Sequence, residues 1–205
     1  MVQLLILELA TQNSTHEHCF GGLPTIPAGT DFDWPCCKTC SGPMQFLGRL
    51  RIPGIEKNVL MFMCQNNPGL CDEWDAELGG NCAIVLPAKE FAEVQAPREG
   101  VTVLETRYAA REASFAGDEY ESAREACAKE KGVSPRDVLG QLMGNPSWIQ
   151  GDETPMCNNC GNRMRFIAQL EEGPDYKTAM NFGGGCAYVF DCSCRGHLAK
   201  FLWQC

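Results

Sequence analysis

Eight cysteines, grouped in four close pairs, are the residues of this chain whose type and spacing could do chemistry. They are Cys37 and Cys40, Cys64 and Cys71, Cys157 and Cys160, and Cys192 and Cys194. A CxxC on a tight turn directs two thiolates at one ion, and a second pair at the end of a neighbouring strand completes a tetrahedron. The spacing therefore predicts one or two structural zinc ions, because four protein thiolates leave no position for water.

The two CxxC pairs lie in a repeated stretch. When Pro35 is aligned with Pro155, six of the sixteen positions through Leu50 and Leu170 are identical. The repeat includes both CxxC pairs and a Met-x-Phe run that follows each of them. The chain is thus predicted to be a duplicated unit in which each half carries its own set of four cysteines.

Several alternatives for these ligands stay open at this point. Cys36 could replace Cys37, and His197 could replace Cys194. The Cys192-x-Cys194 pair requires a bend, since side chains at i and i+2 of an extended strand lie about 7 Å apart. The pairing of Cys64 with Cys192 also competes with a second alignment, in which "GGNCAIV" around Cys82 matches "GGGCAYV" around Cys186. We favour the former because it pairs the two predicted ligand sets.

Two other interpretations compete with zinc. The cysteines could be reduced core residues that bind no metal. A CxxC could also be a thiol redox pair, although neither one sits between a strand and a helix as thioredoxin-like motifs do. His16 and His18, in "THEHC", are a weak metal signal and are read as exposed loop residues.

Short apolar runs predict strands around each CxxC. They are "MQFLGRL", "NVLMFMC" and "NCAIVLP" in the first half, and "MRFIAQL", "CAYVFDC" and "AKFLWQC" in the second. "MVQLLILELA" reads as a buried first strand, because it lacks the basic start and cleavage site of a signal peptide.

Helices are predicted only between the halves. "DEYESAREACAKEK" has an acidic start and a basic end and stops at Gly132. "SPRDVLGQLM" begins with Ser134 as N-cap and Pro135 at the first helical position. The predicted fold class is therefore α+β and mainly β, with a half at 1–97, a helical connector at 98–141 and a half at 142–205.

Composition excludes several classes of protein. The net charge is −9 and the pI about 4.8, which disfavours a nucleic-acid binder and is compatible with a basic protein partner. No run of eighteen apolar residues predicts a membrane span. Without an export signal, so many thiols indicate a cytoplasmic protein. No phosphate-binding loop, nucleophile elbow or HExxH motif is present, so an enzyme is not expected.

The stretches "FGGLPTIPAG…WPCCKTCSGPMQFLGRL" and "LMGNPSWIQGDETPMCNNCGNRMRFIAQL" resemble the YwqG-like (DUF1963) family. They are also similar, more distantly, to the eukaryotic programmed cell death protein two and Tsr4 group. The resemblance covers about residues 19–87 and 140–205. It rests on Gly21, Gly22, Pro24, Trp34 and Pro35 in the first half, and on Gly144, Pro146, Trp148 and Gln150 in the second.

The resemblance implies a protein-binding role, since the eukaryotic relatives act as chaperones for a ribosomal protein. We therefore expect a non-catalytic, chaperone-like scaffold stabilised by zinc. An immunity or antitoxin-type inhibitor is the alternative, and a thiol redox enzyme is a third. Trp34 and Trp148 lie in Gly/Pro-rich loops and are the candidate partner-binding residues.

Overall fold

The computed structural model describes residues 1–8, 16–89, 91–195 and 197–205, which form twelve strands and one α-helix. The helix α1 spans Tyr120–Lys131. The strands are β1 Val2–Glu8, β2 His18–Phe20, β3 Thr25–Pro27, β4 Gln45–Arg51, β5 Lys57–Met63, β6 Asn81–Pro87, β7 Phe91–Glu93, β8 Tyr108–Phe115, β9 Val138–Leu142, β10 Arg165–Glu171, β11 Cys186–Cys192 and β12 Leu198–Gln204.

Ten of these strands form one antiparallel sheet with a symmetric order. The order is β12-β11-β10-β9-β1-β8-β2-β4-β5-β6, while β3 and β7 form a separate pair. The order is symmetric about its centre, which lies between β1 and β8. Strands at equal distances from this centre correspond to one another: β1 to β8, β9 to β2, β10 to β4, β11 to β5 and β12 to β6. Both β4 and β10 also carry a bulge at the same place, between Phe46 and Gly48 and between Phe166 and Ala168. The strand order is therefore pseudo-twofold, which is what a duplicated unit would produce; the duplication itself stays a prediction.

The sheet curls into a nearly closed barrel. One large apolar cluster lines its inner face and joins residues from both ends of the strand order, among them Val85 on β6 and Phe201 on β12. At the seam between these ends, the backbone N–H of Trp203 donates to the carbonyl of Trp74 at 3.2 Å. A mainly β fold is thus confirmed, with a barrel-like sheet and one short helix.

The symmetric order divides the ten strands into a first half, β1, β2, β4, β5 and β6, and a second half, β8 to β12, and the first strand of each half pairs with the other half. Strand β1 lies between β8 and β9, and its register with β8 joins Val2 to Phe115. Strand β8 in turn pairs with β2. The two halves are therefore interleaved at the centre of the sheet.

The connector is less helical than predicted. The helix α1 is confirmed, and Gly132 ends it with a left-handed φ of 63°. The second helix is wrong: Ser134 forms its capping box with Asp137, but only one 3-10 turn follows before the chain enters β9. Residues 108–115, which lie within the predicted helical connector, also form a strand. Pairing of β9 with β1 and β10 outweighs the local helix signal. The boundaries at 97 and 141 stay predictions.

Across the described parts of the chain, no helix is long and apolar enough to cross a membrane.

Candidate metal centres

The first CxxC lies on a tight hairpin turn before β4. The backbone N–H of Cys37 donates to the carbonyl of Gly42 at 2.8 Å, and that of Ser41 donates back to the carbonyl of Cys37 at 2.8 Å. Ser41 adopts a left-handed φ of 59°, which closes the turn. This backbone geometry holds Cys37 and Cys40 at the tip with both thiols on one side.

The second CxxC repeats this turn before β10. The N–H of Cys157 donates to Asn162 at 2.8 Å, and the N–H of Gly161 donates to Cys157 at 2.8 Å. Gly161, at the position of Ser41, has a φ of 71°. Two segments with different sequences thus build the same cysteine-bearing turn.

The remaining cysteines come from the ends of β5 and β11. Cys64 directly follows β5, and its N–H donates to the carbonyl of Gly80 at 2.8 Å. Cys71 belongs to the loop after it and is buried. Cys192 ends β11, and the N–H of His197 donates to the carbonyl of Cys194 at 3.0 Å. The chain bends at Cys194, as the Cys192-x-Cys194 pair requires, and then enters this turn.

The eight predicted ligands come together in two groups of four. Cys37, Cys40, Cys64 and Cys71 form the first cluster, and Cys157, Cys160, Cys192 and Cys194 form the second; within each, the sulfur atoms lie within 4.8 Å of one another. The Sγ–Sγ distance is 3.7 Å for Cys40–Cys64, and 3.6 Å for both Cys157–Cys194 and Cys160–Cys192.

These sulfur–sulfur distances fit a tetrahedral thiolate site. A Zn–S bond of about 2.3 Å places the corners of a regular tetrahedron about 3.8 Å apart. A disulfide needs about 2.05 Å, so the thiols are separate, in agreement with their free state. Each cluster could therefore hold one metal ion of structural type.

The structure also decides between the alternative ligands. Cys37 lies in the first cluster, whereas Cys36 is exposed and its thiol faces the carbonyl of Trp34 at 3.7 Å. Cys194, not His197, belongs to the second cluster.

The structural register supports the pairing of Cys64 with Cys192. Phe62 pairs with Phe46 across β5 and β4, and Phe190 pairs with Phe166 in the same way across β11 and β10. Each of the two cysteines follows two residues after its Phe. The alternative alignment would match residues on β6 and β11, which the pseudo-twofold order does not exchange.

Electrostatics in each cluster favour the loss of a proton from one thiol. A hydrogen bond from the backbone N–H of Gly42 lowers the pKa of Cys40 to about 7. Burial opposes ionisation of Cys157, but the backbone N–H groups of Asn159 and Cys160 and the neighbouring thiols lower its pKa to about 6.

Some of the neighbouring thiols hold their protons more firmly. Hydrogen bonds with Cys192 and Cys157 raise the pKa of Cys194 to about 12, and burial raises the pKa of Cys71. A divalent cation would take the place of such thiol protons as it binds.

A third group of possible ligands, Glu17, His18 and Glu112, is a poor metal site. His18 lies buried in β2, so the prediction of an exposed loop residue is wrong. Its Nδ1 accepts from the backbone N–H of Arg51 at 3.3 Å, and its Nε2 lies 3.1 Å from a carboxylate oxygen of Glu112. Both ring nitrogens are engaged, which leaves no lone pair for a metal. His16 is only half-buried and pairs with Glu8 at 3.3 Å.

Trp34 and Trp148 are both half-buried and pack on aromatic clusters beside the thiols. The Trp34 indole N–H donates to the carbonyl of Met44 at 2.8 Å, and its ring lies 5.5 Å from that of Phe62. Trp148 packs against Tyr188 at 4.3 Å. Both therefore stabilise the outer face of the sheet, and their contact with a partner stays a prediction.

One surface at the seam was missed by the sequence analysis. A cavity of about 320 Å³ lies where the loop after β5 meets β12, and it has both apolar and acidic walls. Its lining residues are Trp74, Asp75, Ala76, Glu77, Glu153, Pro155 and Leu202. The signal was available in "DEWDAEL", which places four acids around an exposed tryptophan. We call this surface the seam groove.

Comparison with known proteins gives no family assignment: no family model matches the chain, and no curated protein is significantly similar to it. The resemblance to the YwqG-like family thus depends on the quoted motifs alone.

Proposed function

We propose that this protein is a non-catalytic protein-binding scaffold, each half of which is held by one structural zinc ion. The observation that carries the proposal is the pair of four-thiol clusters at equivalent places in the two halves. In each, an ion would join the turn before one strand to the end of its neighbour. Zinc suits this role because thiolates bind it strongly and it has no redox chemistry of its own.

The arrangement in fours favours metal binding over a thiol redox enzyme. A lowered cysteine pKa suits both a redox nucleophile and a metal ligand. A redox pair, however, needs two cysteines, whereas each CxxC here lies with two further thiols within 4.8 Å. Four ligands from the protein fill a tetrahedral zinc ion, so the ion would stabilise the fold and leave no position for a substrate.

The seam groove is the surface we propose for the partner, and a basic extended segment is the occupant. Its walls combine an exposed tryptophan with the carboxylates of Asp75, Glu77 and Glu153. Lys200 pairs with Glu77, which leaves the groove with a net negative charge. Arg and Lys side chains could stack on Trp74 and meet the carboxylates. The net charge of −9 adds long-range attraction for such a partner. A cytoplasmic location would keep the thiols reduced.

The metal part is tested by measuring the zinc content of the purified protein under reducing conditions. We expect two ions per chain, and we expect chelation to lower the midpoint of urea denaturation. A metal-free protein with unchanged stability would contradict the zinc-stabilised scaffold. Alkylation separates the redox alternative, since chelation should speed the reaction of the eight clustered thiols if they are metal ligands and leave it unchanged if they form a redox site.

The binding part is tested with an Arg/Lys-rich peptide, the full-length wild type and three variants of it. We expect binding to the wild type that weakens as salt rises, and a loss of about tenfold in the variants Trp74→Ala and Glu153→Gln. Glu130→Gln, an exposed charge on α1, is the matched control. Equal weakening in all three variants would indicate non-specific attraction and refute the groove. A pull-down from the protein's own cells then identifies the partner, and a toxin-like enzyme would favour the inhibitor alternative.

A further inference from the structure

The two clusters differ in how far they are shielded from solvent. In the first cluster Cys37, Cys64 and Cys71 are buried, and only Cys40 is partly accessible. In the second, Cys157 alone is buried, Cys192 and Cys194 are partly accessible, and Cys160 is exposed. The pseudo-twofold fold thus presents one closed thiol cluster and one open one.

The cause of the difference lies in the chain that follows β5 and β11. After β5, a loop of sixteen residues, 65–80, separates Cys64 from β6, and it lies over the first cluster. Asn66 within it places its amide nitrogen 3.8 Å from Cys40 Sγ and 3.7 Å from Cys64 Sγ. The carbonyl of Gly79, near its end, accepts from the N–H of Lys38 at 3.0 Å. In the second cluster a single exposed residue, Ser193, separates the ligands.

The thiols of the open cluster are also arranged in two pairs. Cys157 and Cys194 are 3.6 Å apart at sulfur, and Cys160 and Cys192 are also 3.6 Å apart. Every thiol belongs to one pair, and each pair joins the CxxC turn to the end of β11. Disulfides at these two places would link the same two elements that a metal ion links.

We propose that the second cluster is a peroxide-sensitive metal site, which releases its ion by forming the disulfides Cys157–Cys194 and Cys160–Cys192, while the first cluster keeps its ion. The oxidant is a hydroperoxide. In each pair, one thiolate attacks a peroxide oxygen and the O–O bond breaks, which gives a sulfenic acid and hydroxide. The second thiolate attacks that sulfur, the S–S bond forms and hydroxide leaves.

The reaction balances for both pairs. Each pair gives two electrons to one hydrogen peroxide, and its two hydroxides take protons from solvent to become water. Two peroxides therefore convert four thiolates into two disulfides, and one divalent ion enters solution. Because the cross-links replace the ion, the fold remains while the metal is lost.

This inference rests on the zinc sites of the proposed function, and one experiment separates the two. The full-length, zinc-loaded protein is first assayed for metal and is then titrated with hydrogen peroxide in the presence of a colorimetric zinc indicator. We expect one of two ions to be released at least about tenfold faster than the other, because oxidation follows thiol accessibility. Peptide mapping should then find the two named disulfides, with an unchanged circular dichroism spectrum.

Two variants sharpen the result. Cys36→Ser removes one of the two exposed thiols outside the clusters, the other being Cys205, and should leave the fast release unchanged. Cys160→Ser should abolish the Cys160–Cys192 disulfide, while the first cluster keeps its ion. If this variant does not fold, peptide mapping of the oxidised wild type still tests the inference. Release of both ions at one rate, or oxidation of the first cluster before the second, would overturn the inference but leave the zinc scaffold intact. A chain that binds no zinc at the outset would overturn both.

Discussion

Replacing one thiol of the closed cluster should destabilise the protein far more than replacing a similar buried thiol elsewhere. At free zinc about 100-fold above the dissociation constant, an occupied site adds about 2.7 kcal/mol to the free energy of unfolding, and the loss of one ligand of four would empty that site. We expect Cys64→Ser to lower the free energy of unfolding by about that amount. Cys186→Ser is the matched control, because Cys186 is also buried and lies on a strand but belongs to neither cluster. The serine hydroxyl can take over the hydrogen bonds that the Cys186 thiol makes with Tyr188 and Gln169. The control should cost less than about 1.5 kcal/mol.

Urea denaturation with zinc and with chelator checks this reasoning. At free zinc about 100-fold above the dissociation constant, each site adds about 2.7 kcal/mol to the stability. Chelation should therefore cost the wild type about 5 kcal/mol and Cys64→Ser about half of that, since only the second site remains. If Cys64→Ser and Cys186→Ser lost the same stability, and zinc affected neither, the metal assignment would be refuted.

Three further predictions concern positions outside the cysteine clusters. Gly140→Ala should lower the free energy of unfolding by at least about 3 kcal/mol in urea denaturation, because φ is +148° and a Cβ would lie 2.0 Å from a backbone oxygen of β10. Gly144→Ala, with a φ of +77° but open space, should cost only about 1–2 kcal/mol, and equal costs would contradict the close approach. Burial lowers the pKa of His18 from its ordinary 6.5. The neutral imidazole therefore makes its full contribution to the free energy of unfolding above pH 6.5, and this contribution is lost as the pH falls through the folded-state pKa. As the pH falls from 6.5 towards the folded-state pKa, the free energy of unfolding of the wild type should fall by up to about 1.4 kcal/mol per pH unit, and that of His18→Gln by less. If the free energy of unfolding depended on pH equally in both proteins, His18 would not be a buried neutral imidazole. Lys200→Met should lower the free energy of unfolding by about 2 kcal/mol in thermal denaturation, and Glu77→Gln by about half of that. The reason is that the lysine is buried, whereas the glutamate it pairs with is half-exposed. A larger loss for Glu77→Gln than for Lys200→Met would show that the pair is not held at the seam.

The cysteine sites could be predicted because their signal is local and repeated. The CxxC turn is encoded within six residues, and its second copy confirms it by alignment. The choices between Cys36 and Cys37, and between Cys194 and His197, needed the structure. They depend on which side of a turn a side chain lies, and spacing alone does not fix this.

The central sheet could not be predicted for a different reason. "VLGQL" follows a strong helix-start signal at Ser134 and Pro135, and that signal is used in a single 3-10 turn. Its residues become β9 because β1 and β10, which lie far away in the sequence, offer hydrogen-bond partners on both sides. The pairing of β1 with β8 likewise joins residues more than 100 positions apart. Local propensity carries no information about such partners.

The exchange of first strands between the halves has a consequence for how the protein is made. Strand β1 is synthesised before the other strands described, yet both of its neighbours, β8 and β9, belong to the second half. At about 5–20 residues per second, an apolar strand with two open edges waits on the order of ten seconds for a partner. During that time β2, β4, β5 and β6 can already pair and bring their cysteine cluster together, and β3 can pair with β7. Early metal binding at Cys37, Cys40, Cys64 and Cys71 would hold this part in place until β1 finds its partners.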